Sequence, residues 1–256
     1  VSSKSAANLL LQTATSQMPF WLGPYNIGTR YGHNATYICN IETYRAGGLW
    51  GEYGKSNDLY MANSCWGIEQ KICYSKYRQD MQYVDKVNGI GYPEVVTVML
   101  SGPETLLCRA EAYVHLNQYD KAVEDINTWM QYNCRAKLNI ALEDVENIYI
   151  DMDYSEDAEG KPMPASANNT PKKRLNPAGF TINDETQEAL FHCILHMRRC
   201  ETMQDGLRWQ DIKRFGIEIA HNRAGQTPVY LQKDDPRKAF QLPDDVISAG
   251  LEANPR

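Results

Sequence analysis

The stretch from Ser101 to Met130, "SGPETLLCRAEAYVHLNQYDKAVEDINTWM", constrains the fold more than any other part of the chain. Ser101 and Glu104 have capping-box spacing, and Pro103 stands in the first turn, where its missing N–H costs nothing. Leu106, Leu107, Ala110, Tyr113 and Val114 then recur at helical intervals until "NQYD" breaks the run. Ala122, Val123, Ile126 and Trp129 resume it. Two amphipathic helices joined by so short a break form a helical hairpin. Ala110, Tyr113, Tyr119 and Ala122 stand where a tetratricopeptide-type hairpin has small and aromatic residues, the small ones allowing close approach and the tyrosines filling the gaps. A stack of such repeats needs about three to bury its faces, so the rest of this domain has to substitute for the neighbours.

A further helix is expected from near Asp184, with Leu190, Phe191, Ile194, Leu195 and Met197 as one apolar stripe, a break near Gly206, and a resumption to Phe215. Asp151 to Asn183 is polar and Pro-rich and reads as a long loop. Few segments alternate as strands do. More than half of the aromatic residues fall between Phe20 and Tyr92, among glycines and asparagines ("GPYNIGTRYGHN", "YRAGGLWGEYGKSND"). The expected class is mainly α: a loop-rich aromatic segment over 1–92 with few short strands, and a helical region over 93–256, in one continuous domain.

A chain of 256 residues can bury a substantial core. Its net charge of −6 argues against a phosphate-tracking surface, and its longest basic run is Lys172, Lys173 and Arg174, so nucleic acid is the wrong partner class. No stretch approaches the roughly 20 apolar residues of a membrane span. The chain opens at Val1 without an initiator Met, a basic n-region or an apolar h-region, so its start gives no localisation. Seven cysteines, an odd number without a CxxC, suggest small buried hydrophobes rather than a disulfide framework or a zinc ribbon.

Several clusters invite a chemical reading. Arg198, Glu201, Asp205 and Arg208 are three or four apart, and Asp211 and Arg214 extend the order. With no His or nucleophile in line, the set reads as an ion-pair clamp pinning two helix segments, with Trp209 and Phe215 packed beneath. His192, His196 and Cys200 share a helix face at zinc-ligand spacing, but no fourth ligand lies nearby in sequence, so polar packing is the favoured reading and no metal or cofactor is expected. "DMDYSEDAEG" starts like a calcium loop, then places Glu156 where a glycine is needed and Pro162 where a bidentate acid is needed. Asn34-Ala35-Thr36 and Asn168-Asn169-Thr170 match the short glycosylation pattern. No GxSxG, P-loop or GxGxxG is present. Trp21, Tyr25, Tyr31, Trp50, Tyr53 and Trp66 lie in loop-like surroundings, where aromatic faces stack on the C–H faces of sugar rings. The competing reading is core filler, since such rings bury large areas.

"RRCETMQDGLRWQDIKRFG" resembles the signature helix of the SusD/RagB family, of the form E-R-x-x-E-L-x-x-E-G-x-R-x-x-D-L-x-R-W-G. Arg198, Glu201, Gly206, Arg208, Asp211, Arg214 and Gly216 match, with Asp205, Ile212 and Phe215 as close replacements. Met197 and Thr202 depart from it. Glu104, Leu107, Ala110, Glu111 and Ala112 fit the family's E-x-x-L-x-x-A-E-A hairpin. Arg237, Leu242, Pro243, Ile247, Asn254 and Pro255 resemble its closing R-x-x-x-x-I-P-x-x-E-I-x-x-N-P. The resemblance implies a SusD-like fold and a non-catalytic, cell-surface lipoprotein that captures a glycan, or sometimes a peptide, for a TonB-dependent outer-membrane transporter. It implies that the lipid anchor and the N-terminal half of the family chain lie outside this sequence. The family's motifs are structural, so they assign no ligand residue. Two other classes stay open: a tetratricopeptide-type adaptor for another protein, and a metal-dependent hydrolase built on His192, His196 and Cys200.

Overall fold

The hairpin forms as its pattern requires. Helix α1 (Gly102–His115) starts where Ser101 Oγ accepts from Glu104 N at 3.2 Å, and it is followed by α2 (Tyr119–Asn133). The turn between them needs Asn117 at φ 55°, a left-handed conformation that asparagine tolerates better than most residues. Leu107, Ala110 and Val114 of α1 and Ala122, Ile126 and Met130 of α2 are wholly excluded from solvent.

In a computed structural model, residues 8–15, 43, 48–51, 59, 65–68, 71–74, 79–135, 138–203, 205–223 and 226–255 are described. After the hairpin come α3 (Leu142–Tyr149), α4 (Glu185–Glu201), α5 (Arg208–Arg214) and α6 (Asp244–Ser248). Asp184 caps α4, its Oδ1 accepting from Gln187 N at 2.7 Å. Helix α4 packs on α1 and α3, covering the face that a neighbouring repeat would cover in a stack. Its burial corrects the single-stripe expectation. Besides the apolar stripe, Gln187, His192, His196, Arg198 and Glu201 are buried, so α4 is a central helix enclosed on nearly every side.

The strands form three small separate sheets, with no closed sheet among the described residues. β1 (Asn8–Thr15), β4 (Gln79–Asp85) and β5 (Ile90–Ser101) form an antiparallel sheet in the order β1-β5-β4. β2 (Cys65–Ile68) pairs with β3 (Lys71–Tyr74), and β6 (Ile219–Arg223) with β7 (Gln226–Leu231). The expected change to helical texture at Pro93 therefore comes nine residues late, at Gly102, and the 92/93 division falls inside β5. The run Val95-Val96-Thr97-Val98 is β-branched and fits a pleated sheet better than a helix. Pro93 lies just past Thr15–Glu94, the last β1 pair, and stands opposite Met81 of β4.

The loop from 151 to 183 is fixed by its own polar side chains. Ser155 Oγ donates to Thr170 O at 2.9 Å, Arg174 forks onto Glu156 with two 2.8 Å bonds, and the buried Lys172 Nζ donates to Ile150 O at 3.0 Å. Asn176 N then donates to Phe215 O at 2.8 Å, seating the loop on the end of α5. The close approach fixes the identity of Gly216. It sits at φ 61°, and a Cβ there would lie 2.0 Å from Asn176 O.

Candidate functional site

Of the six charged signature residues, Arg198, Asp211 and Arg214 make ion pairs that run mainly across helices rather than along one. Arg198, 4 % exposed, is held between α5 and α1: its Nε donates to Asp211 at 3.3 Å and its Nη1 to Glu104 at 3.0 Å and to Cys108 Sγ at 3.0 Å. Arg214 bridges the same two helices, bonding Asp211 at 2.9 Å and forking onto Glu111, with Nη2–Oε2 at 2.6 Å. Burial opposes the charge on Arg198, but Asp211, Cys108 and Glu104 more than offset it and raise its pKa. Partial desolvation, together with Glu104, pushes the Cys108 thiol up to about 11. Glu201 accepts from Trp129 Nε1 on α2 at 3.2 Å. Asp205 lies in the turn before Gly206, which takes φ 76°. Arg208 lines a cleft on the other side of α5. The expected ladder along one helical face is thus replaced by a tie of α1, α4 and α5. Glu104 and Glu111, seven residues or about two turns apart on α1, are partners that the charge spacing around Arg198 did not reveal. Phe215 is buried beneath against Phe180 and Phe191, and Trp209 packs on Phe240.

The histidines are structural in their contacts. His196 Nε2 lies 3.0 Å from the carbonyl of Thr43, so it carries the proton, and Nδ1 accepts from Tyr149 OH at 3.0 Å. With both ring nitrogens engaged, it offers no lone pair to a metal. Complete burial pushes its pKa down to about 3. His192 Nε2 stands 3.5 Å from Glu188, which also accepts from Tyr154 OH at 2.7 Å. His192, and to a lesser degree Tyr154, bring the Glu188 carboxyl down to about 2 against the effect of burial. Cys200 is buried, which pushes its thiol far up. Among the described residues no group of three or more His, Cys, Asp or Glu is placed to hold a metal ion. In the acidic loop, Asp157 Oδ1 accepts from the backbone of Glu159 and Lys161, and Glu156 is taken by Arg174.

Of the aromatic candidates, Trp50 is a correction. The turn Gly48–Gly51 drives Leu49 and Trp50 into the core, where Trp50 is 1 % exposed, 4.5 Å from the His196 ring and 6.1 Å from that of Trp129. The flanking Gly48 is closely packed: a Cβ there would lie 3.1 Å from Tyr149 OH, so that side chain would have to shift by a few tenths of an ångström. Trp50 is core filler and cannot stack on a ligand. Trp66 falls on β2, paired with Cys73 of β3. Trp21, Tyr25, Tyr31 and Tyr53 lie outside the described residues, as does Asn34.

A cavity of about 210 Å³ opens between the loop at 162–173, the end of α4, α5 and β6. Lys173, Arg199, Arg208, His221 and Glu218 are the charged or titratable residues among its described lining. Met163, Ile212, Ile217 and Ile219 supply apolar surface. These residues come from four separate stretches of sequence, so no local pattern announces them.

The profile of the SusD family matches residues 25–246. The chain belongs to the SusD family. No curated protein and no solved structure matches it significantly. In this SusD-family chain all three sequence motifs are structural. The hairpin and signature motifs meet in the clamp, and the closing motif folds on itself. There, Asn254 Nδ2 donates to Phe240 O at 2.6 Å and Asn254 N donates to Gln241 Oε1 at 2.9 Å, while Arg237 Nη2 ties the motif to β7 by donating to Tyr230 O at 2.7 Å. SusD-family proteins are outer-membrane-associated and bind nutrients such as glycans, generally without catalysis. Among the described residues no helix is long and apolar enough to cross a membrane.

Proposed function

We propose that this protein is a cell-surface lipoprotein that binds a nutrient glycan and delivers it to a TonB-dependent transporter in the outer membrane, performing no chemistry itself. The observation that carries this reading is the SusD family match over 25–246, supported by a clamp that joins two of the family's motifs residue by residue. Chemistry has little to work with at the signature helix. The charges of Arg198, Asp211 and Arg214 are spent on one another and on α1, and His196 is neutral with both nitrogens engaged. Removing Trp50 from the aromatic set leaves Trp21, Tyr25, Tyr31, Tyr53 and Trp66 as the proposed stacking platform, in stretches of sequence rich in Gly and Asn.

A tetratricopeptide-type adaptor would present the inner face of its hairpin to a partner. Here α4 of the same chain packs against the hairpin where a further repeat would stack, so the described hairpin belongs to a closed core rather than to an open array. The test is a screen of immobilised polysaccharides for retardation of the protein, combined with isolation of the protein from outer membranes under mild detergent. Retention by at least one glycan and co-isolation of a TonB-dependent transporter are expected. Failure of both would remove the proposal.

A further inference from the structure

The hairpin of β4 and β5 runs on past the strand beside it. Among the described residues Thr15–Glu94 is the last pair of β1 with β5, whereas β4 and β5 continue to pair as far as Asp85 and Ile90. Residues 81–92 therefore form a two-stranded arm. Its side chains are of core type but stand in water. Val87 in the turn is 94 % exposed, Val84 71 %, and Ile90 and Tyr92 59 % each, and Met81 and Tyr83 are exposed as well. Single apolar residues on a surface are ordinary. Several of them gathered on one short arm make a patch of the kind that marks a contact.

The distribution of these groups indicates what covers them. They lie on both faces of the arm: Gln82 stands opposite Tyr92 and Tyr83 opposite Gly91, so Met81 and Tyr83 share one face, and Ile90 and Tyr92 the other. A flat protein surface would cover one face and leave the other wet, whereas a fluid apolar medium surrounds both. Polarity is also graded along the arm. Val84, Val87 and Ile90 gather at the turn, and Tyr83 and Tyr92 stand just behind, the order in which side chains meet a bilayer with phenols at headgroup level. Charge fits as well. Asp85 and Lys86 are the only charged residues from 81 to 92, so the arm is neutral in a chain of net charge −6. An anionic headgroup layer does not repel it as it does the chain as a whole, and the Lys86 ammonium can reach back to the phosphates.

The turn partners its own backbone. Asp85 Oδ1 accepts from Val87 N at 2.9 Å and from Asn88 N at 3.1 Å, and Asn88 Nδ2 donates to Asp85 Oδ2 at 2.6 Å. Donors that would be costly to take out of water are thereby satisfied within the turn. Gly89 has φ 67°, and a Cβ there would meet nothing within 4 Å, which leaves the tip narrow and clear. Hydrogen bonds from Asn88 above all hold the Asp85 carboxyl below its usual range, so it stays ionised and limits the depth of entry. The strand edges set the same limit, because N–H and C=O groups not bonded across the hairpin need water or headgroups. We propose that residues 81–92 are a membrane-contact arm: Val84, Val87 and Ile90 enter the boundary between headgroups and acyl chains of a lipid bilayer, and Tyr83 and Tyr92 stop at the headgroups. The SusD family is outer-membrane-associated, which puts a bilayer within reach. The arm is independent of the glycan-binding reading.

The test is flotation of the unacylated protein with vesicles of phosphatidylethanolamine and phosphatidylglycerol. Wild type is compared with Val87→Glu, with Ile90→Glu and with Tyr132→Glu, the last changing an exposed aromatic on α2 as a control. All three side chains are exposed, and thermal melting checks that each variant is folded. Wild type and Tyr132→Glu are expected to float with the vesicles at low and high salt alike, because apolar entry is not screened. Val87→Glu and Ile90→Glu are each expected to lose at least tenfold in partitioning. Wild type that stays in the soluble fraction, arm variants that float as well as wild type, equal loss in all three variants, or complete release by salt would each overturn the inference. A wild-type dimer that Val87→Glu dissociates in sedimentation would overturn it too, since a second copy would then cover the arm. Vesicle binding without binding of any glycan would leave the arm standing and count against the proposed function alone.

Discussion

At the scale of single residues, the two signature glycines do different work. Gly206 and Gly216 both have positive φ, but a Cβ at Gly206 meets nothing within 4 Å, while one at Gly216 would run into the Asn176 carbonyl. Gly206→Ala should cost about 1 kcal/mol, the price of a left-handed alanine alone. Gly216→Ala should cost about 2–4 kcal/mol, because the backbone of the loop must also move. Chemical denaturation of both variants checks the order, and equal losses would show that conformation rather than contact sets the requirement. Trp50→Ala should destabilise by about 3–5 kcal/mol, as truncation of a buried indole does. Its melting temperature is the readout; a variant as stable as the wild type would return Trp50 to the surface. The misplacement of Trp50 has a plain cause. Flanking glycines announce a turn but not the direction it faces, and the closeness of Gly48 to Tyr149 and His196 is a contact across about a hundred residues or more that no local pattern holds. Gly216 was legible as a motif position, while its reason, the carbonyl of Asn176, was not.

At the scale of elements, the helices were legible because amphipathic period and caps are local signals. Ser101 and Asp184 each accept the hydrogen bond their cap positions promise. Strand β5 was not, since its valine-rich run satisfies either period over so short a length. The clamp was legible in membership more than in wiring: sequence spacing suggests contacts within a helix, and these arginines reach 90 residues or more back to α1. Because Asp211 is fully buried between two arginines, Asp211→Ala should cost about 3–5 kcal/mol by leaving Arg198 without its buried counter-charge. Arg109–Asp125, whose arginine is largely solvent-exposed, should matter little when Arg109 is changed to Ala. Urea titration of the two variants compares them directly; similar losses would mean that α1, α4 and α5 are held by packing alone.

His196, one of two buried histidines on α4, gives the element a pH dependence. The folded pKa of His196 is depressed to about 3 from the usual 6.5, so the unfolded chain takes up the proton first. Its contribution is complete above about pH 6.5 and falls away as the pH drops toward 3. Glu188, depressed to about 2 from 4.5, adds a further loss below pH 4.5. The melting temperature should therefore begin to fall near pH 6.5, and His196→Gln, less stable at neutral pH, should show a flatter slope between pH 6.5 and 4.5. An unchanged slope in that variant would contradict the assignment.

At the scale of the whole molecule, a helical hairpin, a central buried helix and a self-stapled loop are tied together by the residues that define the family. The ligand is left to the parts that the family motifs do not fix. The sequence made this division readable: three motifs gave the family, and none of them gave a ligand residue. The cleft beside α5 could not be read in advance, because Lys173, Arg199, Arg208 and His221 meet only when the loop, two helices and a strand are in place. The measurement that tests the account most directly is calorimetric titration of the protein with a panel of neutral and acidic polysaccharides, repeated with Trp21 and Trp66 both changed to Ala. The account predicts saturable binding of at least one glycan, weakened tenfold or more in the double variant without a fall in melting temperature. A folded protein that binds none of the panel would contradict it.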